Sequence, residues 1–271
     1  MAKFLTLNTH SWMEEEQETK LNQLAERILQ EKYDVICLQE VNQLMESEQV
    51  VQAPFYQAVE GAIAIHQDHF ALCLVEKLAE AGLDYHWSWA YNHIGFDIYN
   101  EGVAILSRNP LSPREVLVSE VNDPRDYHTR KVLIAETEVE GQLMTIASCH
   151  LSWWNKGFQE EWEQLEAELL KVSSPVVLMG DFNNPVDYEG YQHIMRSPLK
   201  LQDSHKVADK IVGKATVEGA IAGWDGNQGA LKIDYIFTSQ DIQIESSAVV
   251  FDGTETPVVS DHFGLEVLVH L

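Results

Sequence analysis

Basic residues are scarce in this chain. Eighteen lysines and arginines stand against 43 aspartates and glutamates among 271 residues, a formal net charge of −25. Affinity for nucleic acid rests largely on lysine and arginine neutralising phosphates and releasing counterions. A polyanion is therefore repelled unless one face gathers the few cations. The densest basic run, PRDYHTRK at 124–131, is short. Neither a nucleic-acid partner nor an anionic membrane is expected. A small phosphorylated molecule, whose charge a metal ion can cover, is not excluded.

Cysteine is nearly as sparse. Cys37, Cys73 and Cys149 lie in VICLQ, FALCLV and IASCH. Their odd number, apolar surroundings and lack of metal-type spacing predict reduced core residues of a cytoplasmic protein. No apolar run reaches membrane-spanning length, and MAKFLTLNTH is too short in apolar residues for a signal peptide. Linkers, low-complexity segments and short repeats are missing too. The length suits one large α/β domain or two small ones, and without a linker a single domain over 1–271 is expected.

A coarser pattern occurs twice. Residues 14–31 place Leu21, Leu24, Ala25 and Ile28 on one helical face, followed by the apolar DVICLQEV. Residues 159–171 do the same with Trp162, Leu165 and Leu169, followed by PVVLMGDFN. Each is an amphipathic helix leading into a buried strand that ends in a carboxylate, Glu40 or Asp181. Further strands are expected at 3–8, 102–107, 131–139, 143–149, 232–238 and 264–270, with a helix near 70–81. Strands this aliphatic need both faces covered, which predicts packed sheets with helices outside. The segment YHWSWAYNHIGFDIYNEG at 85–102 is unusually rich in aromatics and histidine.

Polar residues recur at the ends of these strands. Asn8 ends FLTLN, Glu40 ends VICLQE, Glu101 precedes GVAILS, and His150 ends TIASCH. Asp181 and Asn183 follow VVLM, Asp234 sits in LKIDYIF, and Asp261–His262 precede FGLEVLV. Ligand sites in α/β folds lie where strands end. One such residue alone is more often a turn or helix cap. Together, the carboxylates, histidines and asparagines are what a hard divalent cation and a water nucleophile require.

LTLNTHSW, ICLQEV, EGVAILSR, ASCHLSWW, MGDFNNP, KIDYIF and SDHFGLEV resemble, in order, the motifs of the endonuclease/exonuclease/phosphatase superfamily. The resemblance runs from Asn8 to the last strand. It implies a four-layer α/β sandwich, two mixed sheets face to face with helices outside. It implies Mg²⁺ or Mn²⁺ held by Glu40, with Asn8 and Asp261 beside it. Asp181 and Asn183 would position or deprotonate the attacking water and hold a phosphate oxygen. His262, oriented by Asp234, would contact the phosphate, with His150 as its counterpart, paired with Glu101. Arg130, in HTRKVLIA, resembles a phosphate-binding arginine. Lys232 stands where many members carry arginine before Ile-Asp-Tyr.

The superfamily contains both diesterases and monoesterases, and charge chooses between them. At −25 the chain suits a small phosphorylated sugar better than DNA. Aromatics flank the motifs: Trp12 after Asn8, Trp87, Trp89 and Tyr91 in the aromatic segment, Trp153 and Trp154 after His150, and Trp224 in a glycine-rich stretch. Rings of this kind stack on the C–H faces of sugars, so Trp153 and Trp154 are expected to bind the sugar. The alternatives are a Mg²⁺-dependent DNase or abasic-site-type endonuclease, or another small-molecule phosphatase of the superfamily. A catalytically dead binding module would have lost a motif residue, yet Asn8, Glu40, Asp181, Asn183, Asp234 and His262 are all present.

Overall fold

Alternation along the strands sorts the apolar side chains into three core layers, in a computed structural model that describes residues 1–271. Strand side chains point alternately to opposite faces. Phe4, Val35 and Cys37 accordingly enter a central layer, while Leu5, Ile36 and Leu38 enter an outer one.

The strands are β1 (Ala2–Asn8), β2 (Val35–Leu44), β3 (His86–Gly95), β4 (Tyr99–Ser107), β5 (Ser112–Leu117), β6 (Lys131–Val139), β7 (Gln142–His150), β8 (Val176–Asp181), β9 (Leu201–Asp203), β10 (Lys210–Val212), β11 (Val217–Glu218), β12 (Ala230–Leu231), β13 (Asp234–Ser239), β14 (Gln243–Val250) and β15 (Gly264–His270). The helices are α1 (Gln17–Glu31), α2 (Phe70–Glu80), α3 (Phe158–Leu169), α4 (Glu189–Met195) and the short α5 (Ser204–Val207). One mixed sheet has the order β10-β14-β15-β1-β2-β4-β3 and the other β5-β6-β7-β8-β13-β9. A two-stranded ribbon, β11-β12, stands apart from both.

The central layer joins Phe4, Val103, Ile105 and Val267 of the first sheet to Leu133, Ile146, Met179 and Ile236 of the second. Outside the first sheet, Leu21, Leu24 and Ile28 of α1 and Phe70, Leu74 and Leu78 of α2 pack on Leu5, Leu7 and Leu106. Outside the second, Phe158, Trp162 and Leu165 of α3 and Tyr191 and Ile194 of α4 pack on Cys149, Leu178 and Phe237. This is an α/β sandwich in four layers, as expected. No helix is long and apolar enough to cross a membrane.

The aromatic segment fills its expected role only in part. Most of it is strand β3, whose alternation turns Trp87 and Trp89 into the core with exposures of 0% and 1%. Their indole N–H groups donate to the Pro54 and Val41 carbonyls at 2.9 and 3.2 Å, which allows burial without an orphaned donor. Tyr91 packs against the same layer, and Trp12 lies edge-on to Phe70 at 5.1 Å. None of these four rings lines the cavity described below.

Candidate active site

Strand register builds the floor of the site. In the second sheet β8 lies between parallel β7 and antiparallel β13, so His150 and Asp234 are both direct partners of Asp181. Three residues far apart in sequence thus stand side by side at one end of adjacent strands. Gly180 has φ +149°, and a Cβ there would sit 1.9 Å from the Cys149 carbonyl oxygen. Only glycine lets the chain approach this closely before Asp181.

Asp181 is 1% exposed. Its Oδ1 accepts the Asn183 backbone N–H at 2.9 Å, and its Oδ2 accepts the Asn8 amide at 3.2 Å. Burial and the charge of Asp234 push its carboxyl up to about 7, against the opposing pull of His262 and the two hydrogen bonds. His262 Nδ1 lies 3.0 Å from Asp234 Oδ2, and its Nε2 lies 3.8 Å from Asp181 Oδ2. Burial opposes the imidazolium, but the charge and hydrogen bond of Asp234, helped by Asp181, raise it to about 10. A carboxylate near its protonation midpoint therefore faces a standing cation at neutral pH.

The first sheet supplies the opposite wall. Asn8 ends β1, and its Nδ2 donates to Glu40 Oε1 at 2.9 Å as well as to Asp181. The β2–β4 register shifts between Leu38 and Val41, and Glu40 takes φ +52° in that bulge. Bulges of this kind re-aim side chains. Burial, then the charges of Glu101 and Asp261, push Glu40 up to about 7. Asp261 Oδ1 lies 3.8 Å from His10 Nδ1, which lies 2.7 Å from Glu14 Oε1. Glu14 also accepts the Asp261 backbone N–H at 3.1 Å and pairs with Lys20.

Of these residues, Glu40, Asp181, Asn183, His150 and His262 line a cavity of about 410 Å³, and Asn8, Asp234 and Asp261 stand behind its wall. Glu40, Glu101, Asp181, Asn183, Arg130, His150 and His262 form its depth, with Phe96, Tyr127, Trp153, Lys156, Gly223 and Asp225 toward the mouth. Phe96 and Tyr127 are each 49% exposed. Three buried polar atoms of the lining have no partner, Arg130 Nε, Trp153 Nε1 and Glu101 Oε2. Two donor sets gathered within 4.8 Å, His10–Glu14–Asp261 and Asp181–Asp234–His262, fit a divalent cation, and Glu40, pushed up to about 7 by burial and by the charges of Glu101 and Asp261, stands near the first. Glu40 and Asp261 would hold it. Asn8 donates its amide to Glu40 and Asp181 and accepts the His10 backbone N–H on Oδ1 at 3.2 Å, an oxygen whose second lone pair remains for a cation.

Two expected pairings differ in the structure. Glu101 does not meet His150. A β3–β4 register shift between Tyr91 and His93 sets His93 opposite Glu101, with Nε2 3.3 Å from Oε1. His150 Nε2 instead lies 3.7 Å from Asp181 and 4.0 Å from Glu40. Burial, reinforced by the charge of Arg130, holds His150 well below its usual value, so it is neutral rather than protonated. Trp153 lines the cavity, but Trp154 turns to Phe158 and His193, with centroids at 6.2 and 5.8 Å.

Several residues of the site are silent in sequence. His10, Glu14, His93, Phe96, Tyr127, Lys156 and Asp225 reach it through bulges, loops and hairpin tips, which no periodicity announces. Glu161 of α3 is 1% exposed and sits among helical polar residues, yet its carboxylate accepts both the backbone N–H and the hydroxyl of Ser152 at 2.7 and 2.6 Å. It thereby fixes the loop whose Leu151 carbonyl accepts the Asn183 amide at 3.0 Å. The i, i+4 spacing of His10 and Glu14 is the one signal that could have found that pair.

The family described as "Endonuclease/Exonuclease/phosphatase family" matches residues 14–262. A solved structure from Leptotrichia buccalis, described as an endonuclease/exonuclease/phosphatase family protein, is 32% identical with a TM-score of 0.87, all of each chain being covered. A mannosyl-6-phosphatase from Bacteroides thetaiotaomicron is 16% identical with a TM-score of 0.67, again over all of both chains. The human Nocturnin catalytic domain is 18% identical with a TM-score of 0.68, covering 99% of this chain and 93% of its own. No curated protein matches the chain.

Proposed function

This chain belongs to the Endonuclease/Exonuclease/phosphatase family, and on that premise we propose that it is a divalent-cation-dependent phosphomonoesterase of a small sugar phosphate, with maltose 6′-phosphate as the substrate and maltose and phosphate as products. The carrying observation is the cavity itself. A polar floor with Asp181, Asn183, Arg130 and His262 rises to an aromatic mouth of Phe96, Tyr127 and Trp153, in a protein of net charge −25. That combination admits a small anion with a sugar attached and repels a polyanion. KFLTLNTHSWMEE, the aromatic segment and SWWNKGF are similar to the maltose 6′-phosphate phosphatase of Gram-positive bacteria. The mannosyl-6-phosphatase among the structural neighbours supports a sugar phosphate for this fold.

Glu40 and Asp261 would hold Mg²⁺ or Mn²⁺, which would supply charge neutralisation on the phosphate oxygens. Asp181 accepts a proton from the attacking water, whose oxygen forms the new bond to phosphorus. Asn183 and Arg130 hold the phosphate, and placing it in line with the water supplies much of the rate. His262, kept cationic by Asp234, donates its proton to the sugar oxygen as the P–O bond breaks. Neutral His150 contributes a hydrogen bond rather than a charge. A phosphate-release screen across sugar phosphates, nucleotides and inositol phosphates, with and without EDTA, tests the reading. Release from nucleotides or inositol phosphates but from no sugar phosphate would overturn the substrate, and full activity in EDTA would overturn the metal.

A further inference from the structure

The glycine-rich stretch 217–231 has no part in the chemistry so far, yet it docks on the site at two points. Trp224 Nε1–H donates to Asn183 Oδ1 at 2.9 Å. Gly223, at φ +80°, lies against the Trp153 ring so closely that a Cβ would sit 2.1 Å from Cζ2. The stretch is closed at its base by the β11–β12 ribbon and stapled inside by Asn227, whose amide donates to the Gly219 and Gly229 carbonyls at 2.7 and 2.8 Å. Tyr188 flanks the Trp224 ring at 6.1 Å.

The geometry points to Trp224 as a positioning residue that fixes which end of the Asn183 amide faces the phosphate. An asparagine amide has two nearly isosteric ends, and only its hydrogen bonds decide their order. Here Leu151 O can only accept and takes one Nδ2–H at 3.0 Å, while the indole N–H can only donate and takes Oδ1. A flip would set oxygen against oxygen and N–H against N–H. The order shown leaves the second Nδ2–H free for the cavity that Asn183 lines. An N–H there attracts a phosphate oxygen, whereas a carbonyl would repel it. The inference rests on the cavity being a phosphate site, and it makes Trp224 part of the machinery without touching substrate.

Trp224→Phe keeps an aromatic ring and removes the donor. It should lower kcat/KM on sugar phosphate and on p-nitrophenyl phosphate alike, by roughly the 10–100-fold typical of residues that orient a site through another, with the melting temperature nearly unchanged. In an Asn183→Asp background, where both ends are oxygens, Trp224→Phe should cost no further activity. The Trp224 indole N–H resonance, identified by its absence in Trp224→Phe, should be protected from solvent exchange in wild type and lose protection in Asn183→Ala. An equal loss from Trp224→Phe in both backgrounds, or an unprotected indole N–H in wild type, overturns the role. Should wild type hydrolyse no phosphomonoester, the proposed function fails on its own. The inference is then decided by inorganic phosphate binding: weaker in Trp224→Phe supports it, and equal in both overturns it.

Discussion

At the scale of single residues, the site works by holding two groups away from their ordinary ionisation. Asp181 is kept near 7 chiefly by burial, and His262 near 10 by Asp234 and Asp181. Asp181→Asn and His262→Ala should each lower kcat by roughly two to four orders of magnitude, the range for acid–base and charge-stabilising groups. Single-turnover phosphate release measures this, and near-wild-type turnover in either variant would remove that residue from the mechanism. Stability should move the other way for Asp181. A carboxyl raised from 3.8 to about 7 binds its proton more tightly in the folded state. Its contribution is therefore full below pH 3.8 and is lost as pH rises through 7. Metal-free Asp181→Asn should melt above wild type at pH 8.5, with the gap closing toward pH 4. Equal melting temperatures at pH 8.5 would show that burial of Asp181 carries no such penalty.

Asp181, Asn183, Asp234 and His262 were legible because each stands at or within two residues of one end of an apolar strand, where a polar side chain has no packing reason to be. Glu101's partner was not. One bulge residue in β3 decides whether His93 or another group faces it, and a one-residue shift changes no composition or period that sequence carries.

At the scale of elements, every strand and helix expected from periodicity exists to within a few residues of its bounds. Those not expected are the short, edge or half-exposed ones, such as β5, β10 and β14. The aromatic segment 85–102 divides between core and pocket: period-2 alternation in β3 sends Trp87 and Trp89 into the core, while His93, Phe96 and Glu101 line the cavity. Trp89→Ala should cost about 3–5 kcal/mol without altering substrate preference, seen as a lowered melting temperature with an unchanged KM ratio between substrates. The 151–156 loop divides similarly. Trp153→Ala should raise KM for the disaccharide phosphate more than for p-nitrophenyl phosphate, because only its ring lines the cavity. Trp154→Ala, whose ring packs on Phe158, should lower stability and leave that ratio alone. If Trp153→Ala affects both substrates equally, the ring supports the loop and does not stack on sugar.

At the scale of the whole molecule, charge and cavity shape act together. Excess acidity should keep polyanions away over about a Debye length, roughly 8 Å at physiological ionic strength, and this part of the discrimination should weaken with salt. The aromatic mouth discriminates at contact and should not. Both predict the same winner, and one competition shows it. Purified protein in Mg²⁺ or Mn²⁺ is offered maltose 6′-phosphate and supercoiled plasmid in parallel, at low and at physiological salt, with EDTA controls. Rapid phosphate release, abolished by EDTA, with the plasmid left intact at both salt concentrations is the expected result. Plasmid nicking faster than phosphate release from the sugar would contradict it, and with it the assignment of a phosphomonoesterase.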